Sequence, residues 1–135
     1  MHMISVVDDD AAVLSATVDL LDSVGFTCEP FASAEAYLAS GRARSTACLI
    51  LDVSMPGVNG VELQRRLIAA GHSIPTIFIT AFPEERSRAQ AESYGAICYL
   101  CKPYRDEELL TCVRLALDQP DAGAVHDQSE EPRGC

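Results

Sequence analysis

The sequence predicts a doubly wound α/β fold, a (βα)₅ unit around one parallel sheet, on three observations. Short apolar runs alternate with segments of helical periodicity five times along the chain. Four polar residues, Asp8, Asp52, Thr80 and Lys102, each follow such a run, at Ser5-Val6-Val7, Cys48-Leu49-Ile50-Leu51, Ile77-Phe78-Ile79 and Ile97-Cys98-Tyr99-Leu100. If the runs are parallel strands, their carboxyl ends share the edge at which open α/β sheets bind ligands. The length of 135 residues suits one such domain and leaves little room for a second.

The elements follow in order. Strands are expected at about Met3 to Val7, Thr27 to Phe31, Ala47 to Leu51, Thr76 to Ile79 and Ile97 to Leu100. Pro30 makes the second an edge strand, because proline cannot donate to a central ladder. Asp10 caps a first helix running to about Val24, with Val13, Leu14, Val18 and Leu21 on its buried face and Gly25 ending it. Ser33 caps a short helix to Ala39. Asn59 with Glu62 resembles a capping box before a helix from Val61 to Ala70, which Gly71 stops. Pro83 suits the first turn of a helix ending at Gly95, and Asp106 precedes the amphipathic run Leu109, Leu110, Val113 and Leu117. From about Gln119 periodicity stops in a polar, acidic stretch broken by Pro120, Gly123, Pro132 and Gly134, so residues 119–135 are expected to be a disordered tail.

Composition narrows the function. Twenty acidic side chains against 10 basic ones give a formal charge of -10, which argues against nucleic-acid binding through a broad basic surface and favours cationic partners, metal ions included. No apolar stretch approaches the roughly 20 residues needed to cross a bilayer, and the N-terminus lacks the pattern of a signal peptide, so a cytoplasmic protein without membrane contact is expected. Cys28, Cys48, Cys98, Cys101 and Cys112 mostly occupy apolar-run positions, and reduced, buried thiols are expected. Cys98 and Cys101 have C-x-x-C spacing, but three residues apart in a strand they point to opposite faces, which disfavours a redox or metal role. His2, His72 and His126 are scattered and read as surface residues.

The strand-end residues carry the chemistry. In a sheet of order 2-1-3-4-5 the first and third strands are neighbours, so Asp8, Asp9 and Asp10 face Asp52. Two carboxylates about 4 Å apart repel by on the order of 4 kcal/mol at an effective dielectric of 20, so one is protonated or a cation sits between them. Hard oxygen donors with room for water suit Mg²⁺, or Mn²⁺ in its place. Asp10 is most simply a helix cap, and Asp8-Asp9 alone would pass for a solvated turn; Asp52, Thr80 and Lys102 at matching strand ends favour a site. Lys102 brings positive charge and Thr80 a hydroxyl to the same edge, which is what an incoming phosphoryl group needs. A carboxylate serves as nucleophile in forming an aspartyl phosphate. The motifs G-x-x-x-x-G-K-[ST], G-x-G-x-x-G and G-x-S-x-G are absent from the sequence, which leaves nucleotide binding and serine hydrolase chemistry unsupported.

Val6-Val7-Asp8-Asp9-Asp10, Leu51-Asp52-Val53-Ser54-Met55-Pro56-Gly57-Val58-Asn59-Gly60, Phe78-Ile79-Thr80-Ala81 and Lys102-Pro103-Tyr104 together resemble the signatures of the response-regulator receiver domain, the CheY-like family. Leu63-Gln64-Arg65-Arg66-Leu67 and Ile74-Pro75 further resemble receivers of the nitrogen-fixation regulator type. The resemblance implies a flavodoxin-like sheet of order 2-1-3-4-5 and a receiver unit over residues 1–118. It implies that Asp52 accepts a phosphoryl group from a sensor histidine kinase or phosphotransfer protein. Asp9, Asp52 and the Ser54 backbone carbonyl would bind Mg²⁺ directly, and Asp8 mainly through water. Lys102 would contact the phosphoryl oxygens, Thr80 would swing toward them, and Tyr99 would occupy an aromatic switch position, with packing as its plainer role. The Lys102-Pro103 bond would be cis.

The output expected by the same resemblance is a shift in the face made by the fourth helix, fifth strand and fifth helix, which then pairs with a downstream protein or a second copy. Phe82 and Ser54 are tuning positions there, and neither can orient an attacking water, so self-dephosphorylation should be slow. The protein would be a phosphoacceptor and not a turnover enzyme. Many relatives continue into a DNA-binding helix-turn-helix, and the tail does not begin like one, which favours a stand-alone receiver over part of a transcriptional regulator, with no nucleic-acid contact by this chain. Two alternatives stay open at this point: a haloacid-dehalogenase-like phosphatase using Asp8, and a receiver whose phosphorylation chemistry has been retired.

Overall fold

A computed structural model of the chain describes residues 3–82 and 84–118. Its strands are β1 (Met3–Val7), β2 (Thr27–Phe31), β3 (Thr46–Asp52), β4 (Thr76–Thr80) and β5 (Cys98–Cys101), and its helices α1 (Ala11–Ser23), α2 (Ala34–Ser40), α3 (Gly60–Ala69), α4 (Glu85–Ser93) and α5 (Asp106–Leu117). The strands form one parallel sheet in the order β2-β1-β3-β4-β5, as expected. β3 and β4 each run one residue further than the apolar runs suggest, so Asp52 and Thr80 are the last strand residues. A 3-10 turn at Arg42–Ser45, which no sequence signal announced, joins α2 to β3.

Alternation along the strands divides the core into two layers. On one face Val7, Leu49, Leu51, Phe78 and Tyr99 pack with Tyr37 of α2, Leu63 and Leu67 of α3 and Ala91 of α4. On the other, Ile4, Val6, Ile50, Ile77, Ile79 and Leu100 pack with Leu21 of α1 and with Leu109, Val113 and Ala116 of α5. Where β1 and β3 begin, polar groups are satisfied internally: the Thr46 hydroxyl lies 2.8 Å from both Ser5 Oγ and Tyr37 Oη and donates to the Arg42 carbonyl.

The predicted caps form. Asp10 accepts the Ala12 and Val13 N–H groups, Ser33 accepts that of Ala36, and Asn59 accepts that of Glu62. In α1, Val13, Leu14 and Val18 are half-buried, while Thr17 joins Leu21 at the packed centre, its hydroxyl satisfied by the Val13 carbonyl at 2.8 Å. α5 begins with Glu108 reaching back to the Arg105 N–H at 2.8 Å. The Lys102-Pro103 peptide is cis. Pro83, His2, His126 and the expected tail at 119–135 lie outside the described residues.

One expectation is corrected. Cys98 and Cys112 are joined by a disulfide, so the reduced state expected of all the thiols does not hold for this pair. Cys98 on β5 and Cys112 on α5 are both inward-facing, and the sheet-helix packing sets their Cα atoms 6.1 Å apart, within disulfide reach. Cys28 and Cys48 are free; burial pushes the Cys48 thiol up to about 12, and burial with the neighbouring Asp22 charge pushes Cys28 to about 11. Neither is a reactive thiolate.

Candidate functional site

The strand register assembles the site. Val7 pairs with Leu51 and Asp52 with Ile79, so Asp8 and Asp52 come side by side at the carboxyl edge. Three backbone bonds continue the ladders past the strand ends: Asp8 N–H to the Phe31 carbonyl, Val53 N–H to Ile79, and Lys102 N–H to Thr80, at 3.1, 2.9 and 2.8 Å. Loops that leave the sheet are thereby aimed before any ligand arrives.

Asp8, Asp9 and Asp52 each offer a carboxylate oxygen, and these oxygens all lie within 4.8 Å of one another. Asp8 and Asp52 are buried and Asp9 is exposed, so the cluster opens to solvent on one side. Both Asp8 oxygens are engaged, Oδ1 by the Asp10 N–H at 2.9 Å and Oδ2 by Lys102 Nζ at 3.5 Å. Burial, then the Asp8 charge, raise the Asp52 carboxyl to about 7, against the opposing pull of Lys102 and of the Ser54 N–H that donates to it. Its ionised form is under-compensated. A hard cation supplies the missing charge, and an all-carboxylate donor set fits Mg²⁺ or Mn²⁺.

Thr80 ends β4, the strand beside β3, and Tyr99 lies on β5. The Thr80 side chain is fully buried and its Oγ1 accepts the Phe82 N–H at 3.1 Å, while the Phe82 side chain is 75% exposed. Tyr99 lies on the α3/α4 side of the sheet, beside Phe78 and with the Arg88 guanidinium 5.8 Å from its ring centre. Its hydroxyl is buried without a hydrogen-bond partner, and burial, with the Glu84 charge, raises its phenol above the ordinary tyrosine value against the opposing pull of Arg88. Ser54 is exposed.

Two residues near the site escaped the sequence reading. Tyr104 is half-buried; burial raises its phenol, with Thr17 of α1 pulling the other way and the Asp8, Asp106 and Asp52 charges adding to the rise. Glu35 of α2 accepts the Val58 N–H at 3.2 Å, across 23 residues of sequence. For Tyr104 the tyrosine after Lys102-Pro103 was a usable signal; for Glu35 there was none.

A five-stranded parallel sheet with an acid cluster and a lysine at its carboxyl edge defines a phosphoryl-accepting class of α/β domain. The model of the response regulator receiver domain matches residues 4–114, and the chain belongs to that family. The chain is therefore a receiver domain of two-component systems, which disposes of the phosphatase alternative. It is 41% identical over 131 residues to the response regulator protein TodT of Pseudomonas putida, covering 97% of this chain and 56% of that protein. It is 35% identical over 121 residues to the transcriptional regulatory protein FixJ of Bradyrhizobium diazoefficiens, covering 90% and 59%. The chain thus spans somewhat over half the length of these relatives. The solved structure of FixJ-N superposes with a TM-score of 0.81 at 30% identity, covering 90% of this chain and 98% of that one. The response regulator StyR gives 0.80 at 39% identity, covering 85% and 58%. Receivers use Mg²⁺ and work with histidine kinases and downstream effectors. No described helix is long and apolar enough to cross a membrane.

Proposed function

We propose that Asp52 is the phosphoacceptor of this receiver and that Asp8, Asp9 and Lys102 make its carboxylate competent. The supporting observation is the three-carboxylate cluster, in which Asp52 is held far above the usual carboxylate range while Asp8 is occupied by Asp10 and Lys102. An Asp52 oxygen attacks the phosphorus of a phosphohistidine; the new O–P bond forms as the P–N bond breaks, and the electron pair leaves with the histidine nitrogen. Bound Mg²⁺ supplies positive charge for the phosphoryl oxygens, and Asp9, Asp52 and the Ser54 carbonyl are the groups that would hold it, with Asp8 behind. Lys102 neutralises the remaining charge.

A phosphoryl oxygen would offer the Thr80 hydroxyl a charged acceptor, and turning toward it would free the Phe82 N–H that Thr80 Oγ1 now receives. That exchange couples the phosphoryl group to the segment leading into α4, and Tyr99, with an orphaned hydroxyl beside α4, is positioned to respond. The α4-β5-α5 face is the surface we assign to a downstream protein or a second copy of the chain, in the cytoplasm. Neither Phe82 nor Ser54 carries a carboxylate or amide to orient water, so the aspartyl phosphate should be long-lived.

Incubation with a small phosphodonor and Mg²⁺ should add one phosphoryl group by intact mass, and Asp52→Asn should abolish it. Labelling that survives in Asp52→Asn would sink the assignment. Loss of the label from the wild type within seconds would remove the claim of slow hydrolysis.

A further inference from the structure

We propose that Glu35, on α2, is a positioning residue for the phosphoacceptor: its carboxylate holds the β3–α3 loop and so fixes the backbone that serves Asp52 and its metal. This rests on the reading of Asp52 given above.

The loop from Val53 to Asn59 leaves the sheet directly behind Asp52. Its start is tied by the Val53 N–H to the Ile79 carbonyl, and its end by the Gly60 N–H to the Val53 carbonyl at 3.1 Å. Gly60 sits so close that a Cβ there would stand 2.5 Å from the Asp52 carbonyl oxygen. In between, Met55 is buried in the core with Phe31, Ala34 and Val53. Beyond Met55 the chain turns outward through Gly57, at φ +75, and here Glu35 Oε2 receives the Val58 N–H at 3.2 Å. A Cβ on Gly57 would approach that same oxygen to 2.6 Å, so the carboxylate lies directly over the turn, whose positive φ favours glycine.

What this clasp steadies is functional. The Ser54 N–H donates to the Asp52 carboxylate, and Ser54 lies between the buried Met55 anchor and Asp52 itself. A site of this kind tolerates displacements of only about 0.5 Å, and groups behind the ligands commonly set metal affinity. Glu35 is itself steadied: it stands in the first turn of α2, where the helix dipole favours an anion, beside the Ser33 cap. Ala34, its neighbour, is fully buried in the same core cluster as Met55, so α2 and the loop are anchored in one layer of the core.

The test uses the whole chain and, first, no phosphodonor. Titration calorimetry with Mg²⁺ should give a Kd about tenfold weaker for Glu35→Ala, while Glu35→Gln, which keeps an acceptor oxygen but no charge, should recover most of the affinity. Amide exchange at Val58 should accelerate in Glu35→Ala and the melting temperature should not move, since the bond is solvent-exposed. Wild-type Mg²⁺ affinity and Val58 exchange in Glu35→Ala would overturn the proposal. So would a Glu35→Gln as weak as Glu35→Ala, because the effect would then be one of charge and not of the clasp. Labelling of Asp52 is run in parallel: its absence in the wild type would remove the phosphoacceptor reading, whereas normal labelling with unchanged metal binding in Glu35→Ala would remove the positioning role alone.

Discussion

Asp52 at neutral pH is balanced between two ways of living beside Asp8: holding a proton, or sharing a cation. Its carboxyl is raised from 3.8 to about 7 in the folded chain, so between those values the folded state keeps a proton that the unfolded chain has released. The stability contributed by that proton is complete below about pH 4 and is lost as pH climbs toward 7. In metal-free buffer the wild type should therefore lose more melting temperature than Asp52→Asn across that window, and saturating Mg²⁺ should flatten the difference. An identical slope in the two proteins would show that Asp52 does not titrate there. At this scale the sequence was most informative about residues whose chemistry is local. Asp52 and Lys102 could be named because each follows an apolar run; Glu35 could not, because its hydrogen bond to Val58 exists only once α2 lies against a loop that follows β3.

At the scale of elements, periodicity and caps located the strands and helices, while contacts between elements stayed hidden. Asp10, Ser33 and Asn59 cap as expected because capping is decided within three residues. The Cys98–Cys112 bond was not legible for the opposite reason: alternation puts Cys98 inward on β5 and helical spacing puts Cys112 inward on α5, but nothing in either pattern aligns the two. With a sequence separation of 14, the cross-link removes chain entropy from the unfolded state, worth about 3 kcal/mol for a loop of roughly 15 residues. Non-reducing peptide mapping should recover Cys98 linked to Cys112. The double substitution to alanine should lower stability by about that amount or more, since it also removes two buried side chains. The closed segment contains Tyr99, Lys102 and the cis peptide, so the bond encircles the connection between the acid cluster and α5.

For the whole molecule, the order β2-β1-β3-β4-β5 makes the site a joint property of distant segments: Asp8 and Asp9 follow β1, Asp52 ends β3 and Lys102 follows β5. A cation bound there links parts of the chain that unfolding separates, so Mg²⁺ should raise the global melting temperature. The gain is about 2.7 kcal/mol at a concentration one hundred times its Kd, and it should vanish in Asp52→Asn at matched ionic strength. That control matters, because with a net charge of -10 any salt will screen some self-repulsion. The Phe31 carbonyl accepts from Asp8 on the inner side of β2, so alternation turns the backbone of Pro30 outward, where it has no N–H to offer. An extended segment from another molecule would find that outer margin missing a donor at mid-strand, with the Glu29–Arg42 ion pair beside it. The proline thus guards the sheet against growing by strand addition, so that association is left to side-chain surfaces and not to a continuing ladder.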